Sequence, residues 1–335
     1  MSVRGPYVDR LEVQDFFCIK HVDVKLTPLH AFIGPNDSGK STLLRAIASI
    51  SSAKRFPRDA SAAPVAATIS VYCGPNYCVI QQRDDRPRGA RTYAVLPGHQ
   101  ANSATVDAAI DEIQLVRLDP DALRTPSILI PSSKPLTFSS SRGEGLPSVC
   151  DAIIGRDTEA WIRLRDRFVE LFPTVKTLEI RNADGAHKTL AAVLRTGERV
   201  DASAMSEGML YWLAFAAMSE AERPSIFLVE EPENGLHPSR ISEVVALLRH
   251  VSKTAQVIIA THSPLVINEL QPEEISIVTR PPDKGTQVTP MTATKNFAQR
   301  SKVYALGELW LSYADGDLEA ELTGPSDEAG TKASA

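Results

Sequence analysis

The stretch Gly34-Pro35-Asn36-Asp37-Ser38-Gly39-Lys40-Ser41-Thr42 constrains this chain more than any other. It satisfies the full G-x-x-x-x-G-K-[ST] spacing between an apolar run and a helical pattern. Leu29–Ile33 reads as the strand before it, and the residues from Lys40 to Ile50 as the helix after it. Glycines let the backbone wrap so that successive N–H groups point at one anion, and the helix N-terminus adds partial positive charge. The pattern predicts that residues 34–42 cradle the phosphates of a nucleotide, ATP. The Lys40 ammonium would bridge the β- and γ-phosphates, and the Ser41 hydroxyl would ligate Mg²⁺. A chance glycine-rich turn is the competing explanation, and the flanking strand and helix argue against it.

Two apolar runs end in polar groups that suit the same chemistry. Ile226-Phe227-Leu228-Val229 reads as a buried strand with Glu230 and Glu231 at its C-terminal end, where open α/β sheets bind ligands. Glu230 is placed to hold Mg²⁺ through water, and Glu231 to polarise a water for attack on the γ-phosphate. A solvated strand end would look the same in isolation; the phosphate loop gives the pair its weight. Ile258-Ile259-Ala260 leads into Thr261-His262-Ser263-Pro264, which offers His262 as a γ-phosphate contact. Ser206 precedes the apolar helix Leu210–Met218 as an N-cap, leaving exposed N–H groups that suit an anion.

Alternation of helices with apolar β-branched runs from about Ala204 onward predicts a largely parallel sheet. Val8–Phe16 and Val22–Leu26 read as further N-terminal strands, and Thr68–Ile80 as one strand. Trp161–Phe172 reads as a helix ended by Pro173, and Asp184-Gly185 as the turn of a hairpin between Val175–Arg181 and Leu190–Arg195. Residues 51–67 read as a loose connection, residues 100–150 give no clear pattern, and the tail from Gly324 reads as disordered.

The formal net charge is −5, yet residues 308–335 hold seven acids and one base, so residues 1–307 sum to +1. Nucleic acid would therefore meet local patches rather than a basic surface. Arg83, Arg86, Arg88 and Arg91 form one candidate patch, and Arg163, Arg165 and Arg167 another, the latter interleaved with Asp166 and Glu170. Cys18, Cys73, Cys78 and Cys150 lack zinc-site spacing and suit buried thiols in a reducing compartment. No apolar run reaches the roughly 18 residues needed to span a bilayer, and Asp9, Glu12, Asp15 and Asp23 break any signal-peptide core. The expectation is a cytoplasmic protein with no membrane partner.

In this order, the four motifs resemble the ATP-binding-cassette ATPase superfamily. The closer likeness is to the branch of structural-maintenance-of-chromosomes (SMC), RecF-type and overcoming-lysogenization-defect (OLD) ATPases, found in DNA repair and anti-phage defence. Residues 230–238 and 260–264 are especially similar to the OLD-like branch. The resemblance implies an α/β ATPase core, with a mostly parallel central sheet and N-terminal antiparallel strands. It divides the chain into a core half at 1–84, an inserted α+β lid at 85–200, a second core half at 201–323 and a tail at 324–335. It further implies that Ser206-Glu207-Gly208 is the signature motif that completes the ATP site of a second subunit. Asn234-Gly235-Leu236-His237 would then communicate across the ATP-sandwiched homodimer or higher oligomer.

Met209 stands where transporters carry Gln, and Glu230 where many relatives carry Asp. Gln81, Gln82 and Gln114 are candidates for the Mg²⁺-contacting glutamine, and Phe16 or Phe17 for an adenine contact. By family analogy, the chain is an ATPase switch or sensor controlling a separate effector such as a nuclease or toxin, without a nuclease domain of its own, and with DNA or RNA as possible ligands. The alternative is the nucleotide-binding subunit of a membrane transporter. A small-molecule P-loop kinase would not need the signature motif.

Overall fold

A computed structural model describes residues 7–51, 67–74, 76–81, 90–95, 103–221, 224–295 and 297–314. The chain opens with β1 (Arg10–Phe16), β2 (Ile19–Lys25), β3 (Leu29–Ile33) and α1 (Lys40–Ser49), followed by β4 (Thr68–Cys73), β5 (Asn76–Gln81) and β6 (Ala90–Val95). The middle holds α2 (Ser103–Ile110), β7 (Ile113–Val116), α3 (Pro120–Arg124), β8 (Ser127–Ile128), α4 (Leu146–Arg156) and α5 (Thr158–Leu171). Three strands complete it: β9 (Val175–Asn182), β10 (His187–Leu194) and β11 (Arg199–Asp201). The last part runs α6 (Glu207–Glu220), β12 (Ile226–Glu230), α7 (Pro238–Val251), β13 (Gln256–Thr261) and α8 (Pro264–Asn268). It ends with β14 (Ile275–Thr279), β15 (Gln287–Pro290), α9 (Phe297–Arg300) and α10 (Leu306–Ala314).

The central sheet has the order β15-β14-β3-β13-β12-β7, parallel throughout except for the edge strand β15. Its inner strands β14, β3, β13 and β12 are buried at every position because both faces are covered. Successive residues of β12 go to opposite sides: Phe227 and Val229 join the core made with α4 to α8, whereas Ile226 and Leu228 join the core made with α1 and the N-terminal strands. That second core is capped by an antiparallel sheet of order β2-β1-β4-β5-β6. On the other face α6 is buried from Leu210 to Ser219, so it runs as an apolar rod among α4, α5 and α7.

A third sheet is built on the β9–β10 hairpin, with β11 and β8 pairing with β10. Asp184 closes the hairpin turn as expected, its Oδ1 accepting from the N–H groups of Ala186 and His187 at 2.8 and 2.9 Å.

Thr68–Ile80 is two antiparallel strands, β4 and β5, rather than one, because the chain reverses around Gly74. Within the span 85–200 assigned to the lid, β6 pairs with β5 and β7 lies parallel to β12. Those two strands thus belong with the antiparallel and central sheets, and the segment after Val116 packs its α4 and α5 against α6 in the same core as Val116. Residues 52–66, Arg83, Arg86, Arg88, Gln82 and the tail from Gly324 lie outside the described residues.

Candidate functional site

The phosphate loop connects β3 to α1, so the parallel pairing of β3 with β13, and of β13 with β12, sets its place beside the ends of those strands. Gly39 turns the chain into α1 with φ of 107°, a conformation L side chains rarely adopt, and a Cβ there would lie 2.3 Å from Thr286 Oγ1. Thr286, wholly buried between β14 and β15, donates its hydroxyl to the Ser38 carbonyl at 3.0 Å and so fixes the loop from outside. Sequence gave no signal for it, because its contact depends on a partner some 248 residues away.

Lys40 is buried, and its Nζ donates to the carbonyls of Gly34 and Pro35, each at 2.8 Å. Burial pushes its ammonium below the ordinary lysine value, opposed by Glu231, Glu233, Asp37 and Glu230. The four acids and the loop lysine thus share one locus. Glu230 is buried at the end of β12. Glu231 follows with φ of 46° and donates its N–H to Ala260 on β13 at 2.8 Å. Its Oε2 accepts from Asn234 Nδ2 at 2.7 Å, and its Oε1 lies 3.6 Å from His262 Nδ1.

Glu233, which sequence reasoning passed over, completes the group. Its Oε1 accepts from Thr261 Oγ1 at 2.5 Å and stands 3.8 Å from His262 Nδ1. Burial raises its carboxyl above the usual glutamate value, with the Thr261 hydrogen bond opposing. The Glu-Glu-Pro-Glu run held the signal: a third acid beside a strand end already rich in acids.

The expected signature region sits at the start of α6. Ser206 caps it, accepting from Met209 N–H at 3.4 Å. Gly208 packs close to the Gly235 carbonyl, and Gly235 at φ of 67° lies so near α6 that a Cβ would meet Tyr211 Cε2 at 2.5 Å. Glu207 and Gly208 therefore pack against Gly235 of their own chain. Among the described residues no hydrogen bond or ion pair links Ser206 or Gly208 to the phosphate loop. The Tyr211 hydroxyl donates to the Leu118 carbonyl at 3.3 Å.

Of the glutamine candidates, Gln81 lies on β5 in the outer antiparallel sheet, away from β12, while Gln114 lies inside β7, paired with Phe227. Beside Glu230 stands Arg117 instead, the first residue past β7, its Nε 3.6 Å from Glu230 Oε2. Phe16 is core and Phe17 is 54% exposed at the β1–β2 turn. Neighbouring Cys18 meets the Thr42 hydroxyl at 3.4 Å, which places that turn against the phosphate-loop helix. Arg165 and Arg167 are engaged by Asp166, Glu170 and Glu243, as the interleaved charges suggest for a salt-bridged surface.

Phosphates and Mg²⁺ fit this donor set. Ser38 Oγ is buried without a partner, and the two carbonyls spend two of the three Lys40 donors. Among the described residues no group of three or more His, Cys, Asp or Glu could hold a metal by itself. One carboxylate and one hydroxyl, Glu230 and Ser41, is the sparse oxygen set that Mg²⁺ takes when phosphates and water fill its other positions. Arg117 is itself mostly exposed, and at 3.6 Å from the buried Glu230 it is too far for a hydrogen bond.

Two family models match the chain. One, described as "AAA ATPase domain", covers residues 7–110, and the other, described as "AAA domain, putative AbiEii toxin, Type IV TA system", covers residues 107–268. The OLD nuclease of Thermus scotoductus is 53% identical over 38 residues, which is 11% of this chain and 7% of that protein's length. Among solved structures, an SMC head bound to the C-winged helix domain of ScpA is similar at a TM-score of 0.57 and 16% identity, covering 85% of this chain and 97% of that one. An SMC head with an extended coiled coil, bound to the C-terminal domain of ScpA derived from Pyrococcus furiosus, gives a TM-score of 0.52 at 14% identity, with 85% and 96% covered. The fold is that of an α/β P-loop ATPase of the SMC-head kind. No helix among the described residues is long and apolar enough to cross a membrane.

Proposed function

We propose, for a chain that is an SMC- and OLD-like P-loop ATPase, that it hydrolyses ATP and uses the hydrolysis to switch between two arrangements of paired subunits. The observation that carries this reading is the convergence of Lys40, Glu230, Glu231 and His262 at the ends of β3, β12 and β13. Lys40 exchanges its carbonyl partners for the β- and γ-phosphates, and the loop N–H groups from Asn36 to Thr42 hold the remaining phosphate oxygens. Ser41 and Glu230 would hold Mg²⁺, which would supply positive charge against that developing on the phosphates. Glu231, kept in place by Asn234, accepts the proton of the attacking water. His262 donates to the γ-phosphate side of the site, and its ring lies within reach of Glu231.

Ser206 caps α6, and Gly208 in its first turn lies against Gly235, the residue after the turn that Asn234 closes onto Glu231. A second subunit that bound ATP through this edge would press on the loop that orients the catalytic acid. ATP would hold the pair together through contacts both subunits make, and loss of the γ-phosphate would release them. A separate effector protein would read the two states. The SMC heads captured with ScpA domains offer an analogy for such a partner. A role in DNA repair or anti-phage defence rests on the likeness to the OLD branch.

Glu231→Gln tests the reading. It should cut ATP turnover at least about a hundredfold and leave a dimer that persists in ATP but not ADP, seen by light scattering after size exclusion. Wild-type turnover in that variant would overturn the assignment.

A further inference from the structure

We infer that Glu233 is a positioning residue for His262: it shares the imidazole with Glu231 and leaves the Glu231 carboxylate free for water. This rests on the proposal that the site hydrolyses ATP.

The local chain sets up the sharing. Pro232 ends the β12 pairing, Glu231 takes a positive φ, and the Asn234 N–H closes a turn onto the Glu231 carbonyl at 3.1 Å. That turn folds Glu233 back beneath the end of β13. There its Oε1 accepts from Thr261 Oγ1, and the same hydroxyl oxygen accepts the Ser263 N–H at 2.9 Å. Glu233 is thereby tied to both residues that flank His262.

A purely structural carboxylate would need only the oxygen that meets Thr261, and a glutamine would serve. Glu233 is 9% exposed on its side chain, yet its Oε2 is buried without a partner. Leaving a buried acceptor unpaired costs free energy, and such cost gathers at working sites. The imidazole approaches the carboxylate at its other oxygen, Oε1. His262 Nδ1 stands 3.6 Å from Glu231 Oε1 and 3.8 Å from Glu233 Oε1, nearly equidistant and hydrogen-bonded to neither. A small rotation brings it to either acid. When Glu233 holds it, Nδ1 is directed away from the nucleotide and Nε2 towards it, while Glu231 loses a competitor for its proton-accepting oxygen.

A double-mutant cycle tests this on the full chain, with turnover and KM for ATP measured at saturating Mg²⁺. Glu233→Ala should lower kcat about tenfold and leave KM within twofold. In the His262→Ala background the same change should cost less than twofold, because its effect passes through the imidazole. Glu233→Gln keeps an acceptor for Thr261. It should preserve the thermal midpoint, yet lower kcat several-fold and move the His262 side-chain ¹⁵N resonances. Additive losses, or a Glu233→Gln protein with unchanged kcat and unmoved ¹⁵N resonances, would overturn the inference. Glu231→Gln is run alongside: if it retains wild-type turnover, the hydrolytic reading itself fails. If it is inactive while the cycle is additive, only the role of Glu233 fails.

Discussion

The indole N–H of Trp310 donates to the main-chain carbonyl of His262 across 3.2 Å, which fastens α10 to the turn that carries the imidazole. Trp310 is 4% exposed, and the start of α10 presses equally close to α8. The Gly307 N–H donates to Asn268 Oδ1 at 2.7 Å, and a Cβ on Gly307 would fall 2.4 Å from the Pro264 carbonyl oxygen.

Trp310→Phe keeps a packed ring and removes the donor. The expected loss is about 1 kcal/mol of stability by urea titration, with a several-fold fall in kcat as the His262 turn loosens. Gly307→Ala should cost about 1–3 kcal/mol, since backbone rather than a flexible side chain blocks the added methyl. Unchanged urea midpoints for both would show that α10 merely rests on the turn.

Gly235→Ala meets two obstacles at once, a φ of 67° and the Tyr211 ring 2.5 Å from the new Cβ. About 1–3 kcal/mol of stability should be lost. ATP turnover should fall further than stability alone explains, because the displaced loop carries Asn234, the partner of Glu231. Trimming the ring with Tyr211→Ala in the same protein should restore part of the activity.

His30 gives the folding equilibrium an acid limb. It is fully buried in β3, with Nε2 3.1 Å from the Ser276 hydroxyl, and burial lowers its imidazole from 6.5 to about 3. The folded chain keeps it neutral while the unfolded chain takes up a proton. Its contribution is therefore complete above the unfolded value and is lost as pH falls from there towards the folded one. The loss should reach about 2 kcal/mol by pH 5. Urea midpoints at pH 7 and pH 5 would measure it, and a His30→Gln chain should show a flatter pH dependence.

Phe17 is the aromatic left in solvent at the β1–β2 turn, next to the Cys18–Thr42 contact. As the adenine-facing ring it would act on binding alone. Phe17→Ala should raise KM for ATP about five- to tenfold with kcat within twofold and little change in thermal midpoint. An unaltered KM would place the base elsewhere.

What could be read from the chain followed from how each element is stabilised. β12 and β13 are buried on both faces, so they stand out as unbroken apolar runs, as does β3 apart from His30, and the polar residues that end them mark the candidate site. Much of residues 100–150 shows no clear pattern because β7 has four residues, α3 five and β8 two, too few to display a period. β7 earns its place only by lying parallel to β12, a pairing about a hundred residues long in sequence. The same holds for Arg117, Thr286 and Trp310. Each reaches the site through strand order or helix docking, and nothing in its neighbours along the chain announces it.

Glu231 adopts a left-handed backbone that L-residues normally avoid. A glycine there would relax the turn and should make the folded chain more resistant to heat, at the expense of the proposed proton acceptor. Variants selected only for thermal resilience would thus tend to erode catalysis at this position, and screens for hardier forms of the protein should hold it fixed.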